Sequence, residues 1–223
     1  MSDLVVAAPM RVEAMLISRG ARSAAQVRKT GMGPGRAKAA AARLAPPREG
    51  GGGGLLVLGF CGGLDETSVP GEVIVADEVY AAADEGHAEQ SVACELRDEL
   101  VMALTGRGLK VRSGRIVCVA RLALGERRAQ LLADGAIAVD MESVWLAAGA
   151  RGRPFGVARV VLDSPSHELL RARAVVGALH AARSLRAVAR ALEEVRVERA
   201  RLEPQPPPAT DRGDGVNDER SDG

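Results

Sequence analysis

Carboxylates stand where two apolar runs stop. The first run ends in Ala138-Val139-Asp140-Met141-Glu142-Ser143, and the second ends in Val157-Ala158-Arg159-Val160-Val161-Leu162-Asp163-Ser164. In an open α/β sheet, ligands bind outside the carboxyl ends of the strands. A buried carboxyl group is costly unless something pairs with it or uses it. Glu142 and Asp163 therefore read as site residues rather than as a solvated surface. Two such groups in different surroundings can do two jobs. A protonated carboxyl gives a proton to a departing group, and an ionised one stabilises a positive charge beside it.

The elements that must position these groups alternate in type. Leu4–Ala8 reads as a buried strand, followed by a helix over Val12–Arg19. Val27–Thr30 is a brief strand before Gly31-Met32-Gly33-Pro34-Gly35, and the Ala-rich stretch Arg36–Leu44 favours helix. Leu55–Leu58 is a buried strand closed by the glycine loop Gly59-Phe60-Cys61-Gly62-Gly63-Leu64, with a further strand at Val73–Ala76. Helical spacing covers Cys94–Thr105 and Arg127–Ala133, and strands are expected at Arg115–Ala120, Ala136–Asp140 and Phe155–Leu162. Ser143–Gly152 reads as a helix. Val175–Arg201 is a closing helix with Leu179, Ala182, Leu185, Val188, Ala189 and Leu192 on one face. The expected fold is one α/β domain, residues 1–202, with a central mixed, mostly parallel sheet flanked by helices. The Pro-, Asp- and Arg-rich tail 203–223 buries too little apolar surface to offset its ordering entropy and is expected to be disordered.

Composition narrows the classes. Apolar residues make up 47% and the formal net charge is +1, so nothing points to nucleic acid or an anionic membrane. No run of eighteen apolar residues is present, which excludes a helical membrane span, and Leu4–Ala8 is too short for a signal peptide. Cys61, Cys94 and Cys118 suggest neither a disulfide framework nor a zinc spacing, which implies a reduced, cytoplasmic setting. His87, His167 and His180 are scattered, so no metal or other cofactor is expected. Only 2% of residues are aromatic, leaving few rings on which a flat ligand could stack.

Five motifs in order carry a family resemblance. They are Gly31-Met32-Gly33, the Gly59–Leu64 loop, Pro70-Gly71-Glu72-Val73-Ile74-Val75-Ala76-Asp77-Glu78, Val139-Asp140-Met141-Glu142, and Arg159 four residues before Asp163. Together they resemble the purine nucleoside phosphorylase and nucleosidase superfamily over roughly Leu4–Leu192, with its three-layer fold. The pattern is most similar to the methylthioadenosine/S-adenosylhomocysteine nucleosidases. The Val-Asp-Met-Glu-Ser form also resembles hopanoid-associated members that act on adenosylhopane.

The resemblance implies cleavage of the N-glycosidic bond of a purine nucleoside, with water or phosphate as co-substrate and a homo-oligomeric assembly. It implies that Asp163 is the general acid at the purine N7 and that Glu13 activates water. It places Glu142 on the ribose hydroxyls, Met141 against the sugar, and Arg159 near both sugar and acid. Gly62, Gly63 and Phe60 would line the substrate site. An aspartate that gives up a proton near neutral pH needs about 4 kcal/mol of differential interaction between its two protonation states. The apolar run before Asp163 could supply part of that by desolvation, while Arg159 would oppose it.

Hydrolysis of a 5′-substituted adenosine, releasing adenine, is the expected reaction. Where phosphorolytic relatives carry an arginine and a serine for phosphate, this chain has Val57 and Phe60. A phosphorolytic or adenosylhopane-cleaving enzyme is the alternative, and a nucleoside-binding protein without turnover is another. Phe60 and Leu162 depart from the family pattern, and Val117–Leu124 lacks the ring that stacks on the purine, which suits a changed substrate with a large apolar 5′ group. The same residue types also have structural uses. Glu142 suits a helix N-terminus, Asp163 a turn before Pro165, and Glu13 the first turn of a helix.

Overall fold

A computed structural model describes residues 4–21, 26–44, 53–83, 90–166 and 174–202. The expected tail 203–223, His87, His167 and part of the Gly-rich stretch at 49–54 lie outside the described residues. Among the described residues, eight strands form one sheet: β1 (Val5–Ala8), β2 (Gln26–Lys29), β3 (Leu55–Gly63), β4 (Val73–Ala81), β5 (Ser91–Ala93), β6 (Val111–Cys118), β7 (Ala136–Asp140) and β8 (Phe155–Asp163). The helices are α1 (Arg11–Gly20), α2 (Pro34–Leu44), α3 (Arg97–Thr105), α4 (Glu126–Ala133), α5 (Ser143–Leu146) and α6 (Ala174–Leu202).

The sheet runs β2-β1-β3-β7-β6-β4-β5, and β8 pairs with both β3 and β4. Strands β3, β7, β6, β4 and β8 therefore form a closed circuit, with β1, β2 and β5 extending it. Most pairs are parallel, while β3–β7, β4–β5 and β4–β8 are antiparallel. Register shifts at Cys61/Gly62, Ala76/Glu78 and Arg115/Ile116 supply the local bends that let the circuit close.

Strand alternation sorts the core into two layers. Val6, Leu56, Leu58, Ala158 and Val160 face Ile17 of α1, Leu100 and Leu104 of α3, and Leu185 and Val188 of α6. On the other face, Val57, Cys61, Val157 and Val161 meet Leu44 of α2 and Trp145 and Leu146 of α5. The observed architecture is thus a single α/β domain with a mixed sheet between helices.

Several elements differ from expectation. The glycine stretch Gly59–Gly63 does not close β3 but continues it, paired with β8 through Gly62 and with β7 at Gly62 and Gly63. Missing side chains let polar groups approach the strand while its backbone bonding goes on. The helix expected over Ser143–Gly152 stops at Leu146 and tightens into a 3₁₀ turn through Gly149. Gly149 lies against α2, where an added Cβ would sit 3.0 Å from the Ala41 carbonyl. Strand β5 was not expected, and β6 starts earlier than Arg115. The buried face of α6 keeps Leu185, Val188 and Ala189 and adds Ala181 and Ala191, whereas Leu179 is 52% exposed.

Candidate active site

Of the buried acidic side chains, Glu13, Asp140, Glu142 and Asp163 each come from a strand end or from the start of the helix that follows one. Glu13 lies in the first turn of α1. Its Oε2 accepts a hydrogen bond from the Met10 amide at 2.6 Å, and its Oε1 accepts one from the Phe60 amide at 2.7 Å. The turn between β1 and α1 and the sequence-distant strand β3 are thereby tied to one carboxylate.

The turn after β7 is organised by Asp140. Its Oδ1 accepts from the amides of Glu142 at 3.2 Å and Ser143 at 3.3 Å, and the Cys118 thiol donates to it at 2.9 Å. The Ser143 hydroxyl donates to Oδ2. This holds Glu142 just ahead of α5, where its Oε1 accepts from the Gly33 amide at 2.9 Å. Gly33 has φ of 87°, a left-handed conformation that only glycine adopts at little cost, so this contact depends on the Gly31-Met32-Gly33 motif.

Arg159, fully buried on β8, sits among these acids. Its Nη2 lies 2.6 Å from Asp140 Oδ2, donates to the Ser143 hydroxyl at 2.9 Å, and lies 3.5 Å from Glu142 Oε2. The cluster needs a bare strand beside it. A Cβ on Gly59 would come within 2.5 Å of Glu13 Oε1 and 2.6 Å of Arg159 Nη1.

One guanidinium among three carboxylates leaves the group short of positive charge, and the titration directions follow. Burial pushes Glu142 up to about 7, with Arg159 opposing and Asp140 reinforcing. Burial also raises Glu13, against Arg159 and its two amide donors. For Asp140 burial acts upward too, but the charge of Arg159 and the bonds from Cys118, Ser143 and Glu142 outweigh it and hold the group below its ordinary range. Burial would lower Arg159, yet the surrounding acids raise it well above its ordinary value.

Asp163 at the end of β8 has a different partner. The sequence placed Arg159 against it, but Arg159 is engaged with Asp140. Instead Arg128, buried on α4, lies 2.5 Å from Asp163 Oδ2 through Nη2, while its Nε donates to the Ala123 carbonyl at 3.0 Å. Both groups converge on Gly62, whose added Cβ would lie 3.1 Å from Arg128 Nη2 and 3.4 Å from Asp163 Oδ1.

The remaining expected site residues scatter. Met141 is half-buried against the cluster of Leu64, Val117 and Val139. Phe60 packs its side chain into the α1/α6 layer, and only its backbone meets Glu13 and Arg159. Gly63 approaches Ser68 so closely that a Cβ would lie 2.4 Å from the Ser68 Cβ. A cavity of about 460 Å³ lined by Tyr80, Gln90, Arg115, Val117, Arg127 and Leu131 lies along α4, the helix that carries Arg128.

Sequence reasoning gave no role to Asp140, Ser143, Gly33 or Arg128. Asp140 sits two residues before Glu142 and could have been read as the acid that caps the turn. Arg128 is three residues before buried Leu131, hence on the inward face of α4, a position that marks it off from Arg127.

The sequence pattern of the phosphorylase superfamily matches residues 16–193, beginning three residues after Glu13. No curated protein matches the chain in sequence. Among solved structures, it is similar to the 5′-methylthioadenosine/S-adenosylhomocysteine nucleosidase of Helicobacter pylori in complex with butyl-thio-DADMe-Immucillin-A. That pair has 15% identity and a TM-score of 0.70, covering 89% of this chain and 99% of the other. The corresponding nucleosidase of Neisseria meningitidis, in complex with methylthio-immucillin-A, has 20% identity and a TM-score of 0.66, with 87% and 100% covered. The futalosine hydrolase of Helicobacter pylori strain 26695 has 15% identity and a TM-score of 0.70, with 88% and 98% covered.

Proposed function

The chain belongs to the phosphorylase superfamily, and we propose that it cleaves the N-glycosidic bond of a 5′-substituted adenosine by hydrolysis, releasing adenine. The observation that carries this reading is the meeting of Glu13, Asp140 and Glu142 around one arginine at the strand ends. As the bond from C1′ to the base breaks, positive charge builds on the sugar and negative charge on the base. A cluster with more carboxylates than cations suits the first. Glu142 accepts the ribose hydroxyls in its ionised form, and Glu13, raised by burial, takes a proton from the attacking water. Asp163 marks the base side.

Water is favoured over phosphate on two grounds. The guanidinium within the sugar-side cluster, Arg159, already lies against Asp140, Ser143 and Glu142. Val57 and Phe60 put apolar side chains into the core where phosphorolytic relatives hold an anion. The named structural neighbours are likewise nucleosidases and a hydrolase. Three free, buried thiols fit a reducing cytoplasm, and light scattering reads the homo-oligomer that the resemblance implies.

The test is incubation with methylthioadenosine, S-adenosylhomocysteine, adenosine and an adenosine bearing a long apolar 5′ chain, with and without phosphate. Adenine and free sugar are expected in equal amounts regardless of phosphate. A sugar 1-phosphate would instead assign phosphorolysis. Adenine binding without turnover on any of the four would assign a binding protein.

A further inference from the structure

On that reading the base departs beside Asp163, and we propose that Arg128 itself supplies the positive charge at the purine N7. Asp163 then orients Arg128 and accepts a hydrogen bond from the exocyclic 6-amino group. This replaces the proton-donor role that the family resemblance implies for Asp163.

Arg128 is 3% exposed and sits on α4, outside every motif that marked the site. Its Nη2 is 2.5 Å from Asp163 Oδ2, and the Ala123 carbonyl fixes the guanidinium through Nε. Taking two such charges out of water is expensive, so the pair is weak as a device for stability alone. Gly62 leaves the strand bare where the two groups meet.

The chemistry matches one purine edge. Adenine shows an acceptor, N7, beside a donor, the 6-amino group. The Arg128–Asp163 ion pair shows a donor beside an acceptor, so it is complementary to adenine without any proton having moved. A 6-oxopurine shows two acceptors and would set O6 against the Asp163 carboxylate. A guanidinium has five donors in a fixed fork, so Arg128 can hold Asp163 and N7 together. In the step, the bond from C1′ to N9 breaks and its electron pair enters the purine ring, where the Arg128 hydrogen bond at N7 stabilises it. Water adds to C1′ and its proton passes to Glu13. The purine anion takes a proton from solvent, and Glu13 returns its proton to solvent, so nucleoside and water give base and sugar.

The experiment compares an adenosine substrate with its 7-methyl derivative, whose base is already cationic and offers no N7 lone pair. Wild type should show a higher KM for the 7-methyl nucleoside, because a guanidinium faces its imidazolium. Arg128→Met should lower kcat on the unmodified nucleoside by about 10²-fold or more. Over the spontaneous rate, kcat on the 7-methyl form should stay level or rise. An equal fall on both substrates would assign Arg128 a structural role and overturn the proposal. So would a wild-type KM for the 7-methyl form at or below that of the parent, a comparison that needs no variant. Should Arg128→Met fail to fold, Arg128→Lys, which keeps a charge but loses the fork, is expected to retain part of the rate and the same substrate order. Absence of base release from every nucleoside overturns the nucleosidase reading itself. Release with no 7-methyl discrimination overturns only the role of Arg128.

Discussion

The sugar-side cluster and the base-side pair are both built from buried acids and arginine, in different ratios. Around Arg159 there are three buried acids, Glu13, Asp140 and Glu142. Around Arg128 there is one, Asp163. The first arrangement carries a deficit of positive charge, which a cationic sugar in the transition state can fill. The second is balanced, and it presents both a donor and an acceptor to a polar edge. One end of the site thus attracts charge, and the other reads hydrogen-bond pattern.

The largest effect in this comparison should come from removing Arg159. Arg159→Met leaves three buried acids with no cation, and loss of one partner of a buried pair costs about 3–5 kcal/mol. Chemical denaturation should show that loss. Arg128→Met orphans one acid only, so a smaller fall in stability is expected. Equal losses would contradict the difference between the two ends.

Glu13→Gln comes next. One amide oxygen cannot accept both the Met10 and the Phe60 amides, so about 1–3 kcal/mol of stability is lost. Loss of the base that takes the proton from water should also lower kcat by about 10²–10⁴. Steady-state kinetics reads this, with KM moving far less than kcat.

Gly59→Ala drives a methyl group between Glu13 and Arg159. A destabilisation of about 1–3 kcal/mol is expected from overpacking, together with reduced activity. The same substitution at Gly33 acts through backbone strain and should loosen Glu142 alone. Thermal melting and KM separate the two.

The pH dependence is smaller and has a definite sign. The folded protein holds a proton on Glu142 up to about pH 7, against 4.5 as its ordinary value. Between those limits the folded state binds more protons than the unfolded chain, so stability falls as pH rises through the window and levels off above it. Glu13 adds to the same slope. Asp140, held low, acts the other way only in stronger acid, where stability falls as pH drops. Because Glu142 works ionised, kcat/KM should fall below about pH 7 as Glu142 takes up its proton. Glu142→Gln should flatten the stability slope, and a slope unchanged in that variant would remove the assignment.

Much of this was legible in the residues. Apolar runs ending in acids located β7 and β8, and Gly31-Met32-Gly33 stood out as a motif, although its contact with Glu142 did not. What was not legible depends on pairing across the sheet. Glycines in a row look like a loop because their use as strand is set by neighbours such as β8, not by local propensity. The family resemblance put Arg159 near Asp163, yet the turn after β7 sets Asp140 against it instead. Arg128 carried only a helical-phase signal, since its partner lies on an element thirty-five residues away. Likewise, packing of α6 on the sheet and not local pattern decided that Ala181 rather than Leu179 is buried.

The most direct measurement compares two inhibitors of the same shape. One is an adenosine analogue whose sugar ring carries a protonated nitrogen at the place where positive charge develops, and the other is its neutral carbocyclic isostere. Calorimetric Kd values should favour the cation by about 10²-fold or more, as expected for a site complementary to the transition state. Glu142→Gln should erase most of that preference while Arg128→Met leaves it standing. Equal affinities for the two analogues in the wild type would contradict a sugar-side cluster built to receive positive charge.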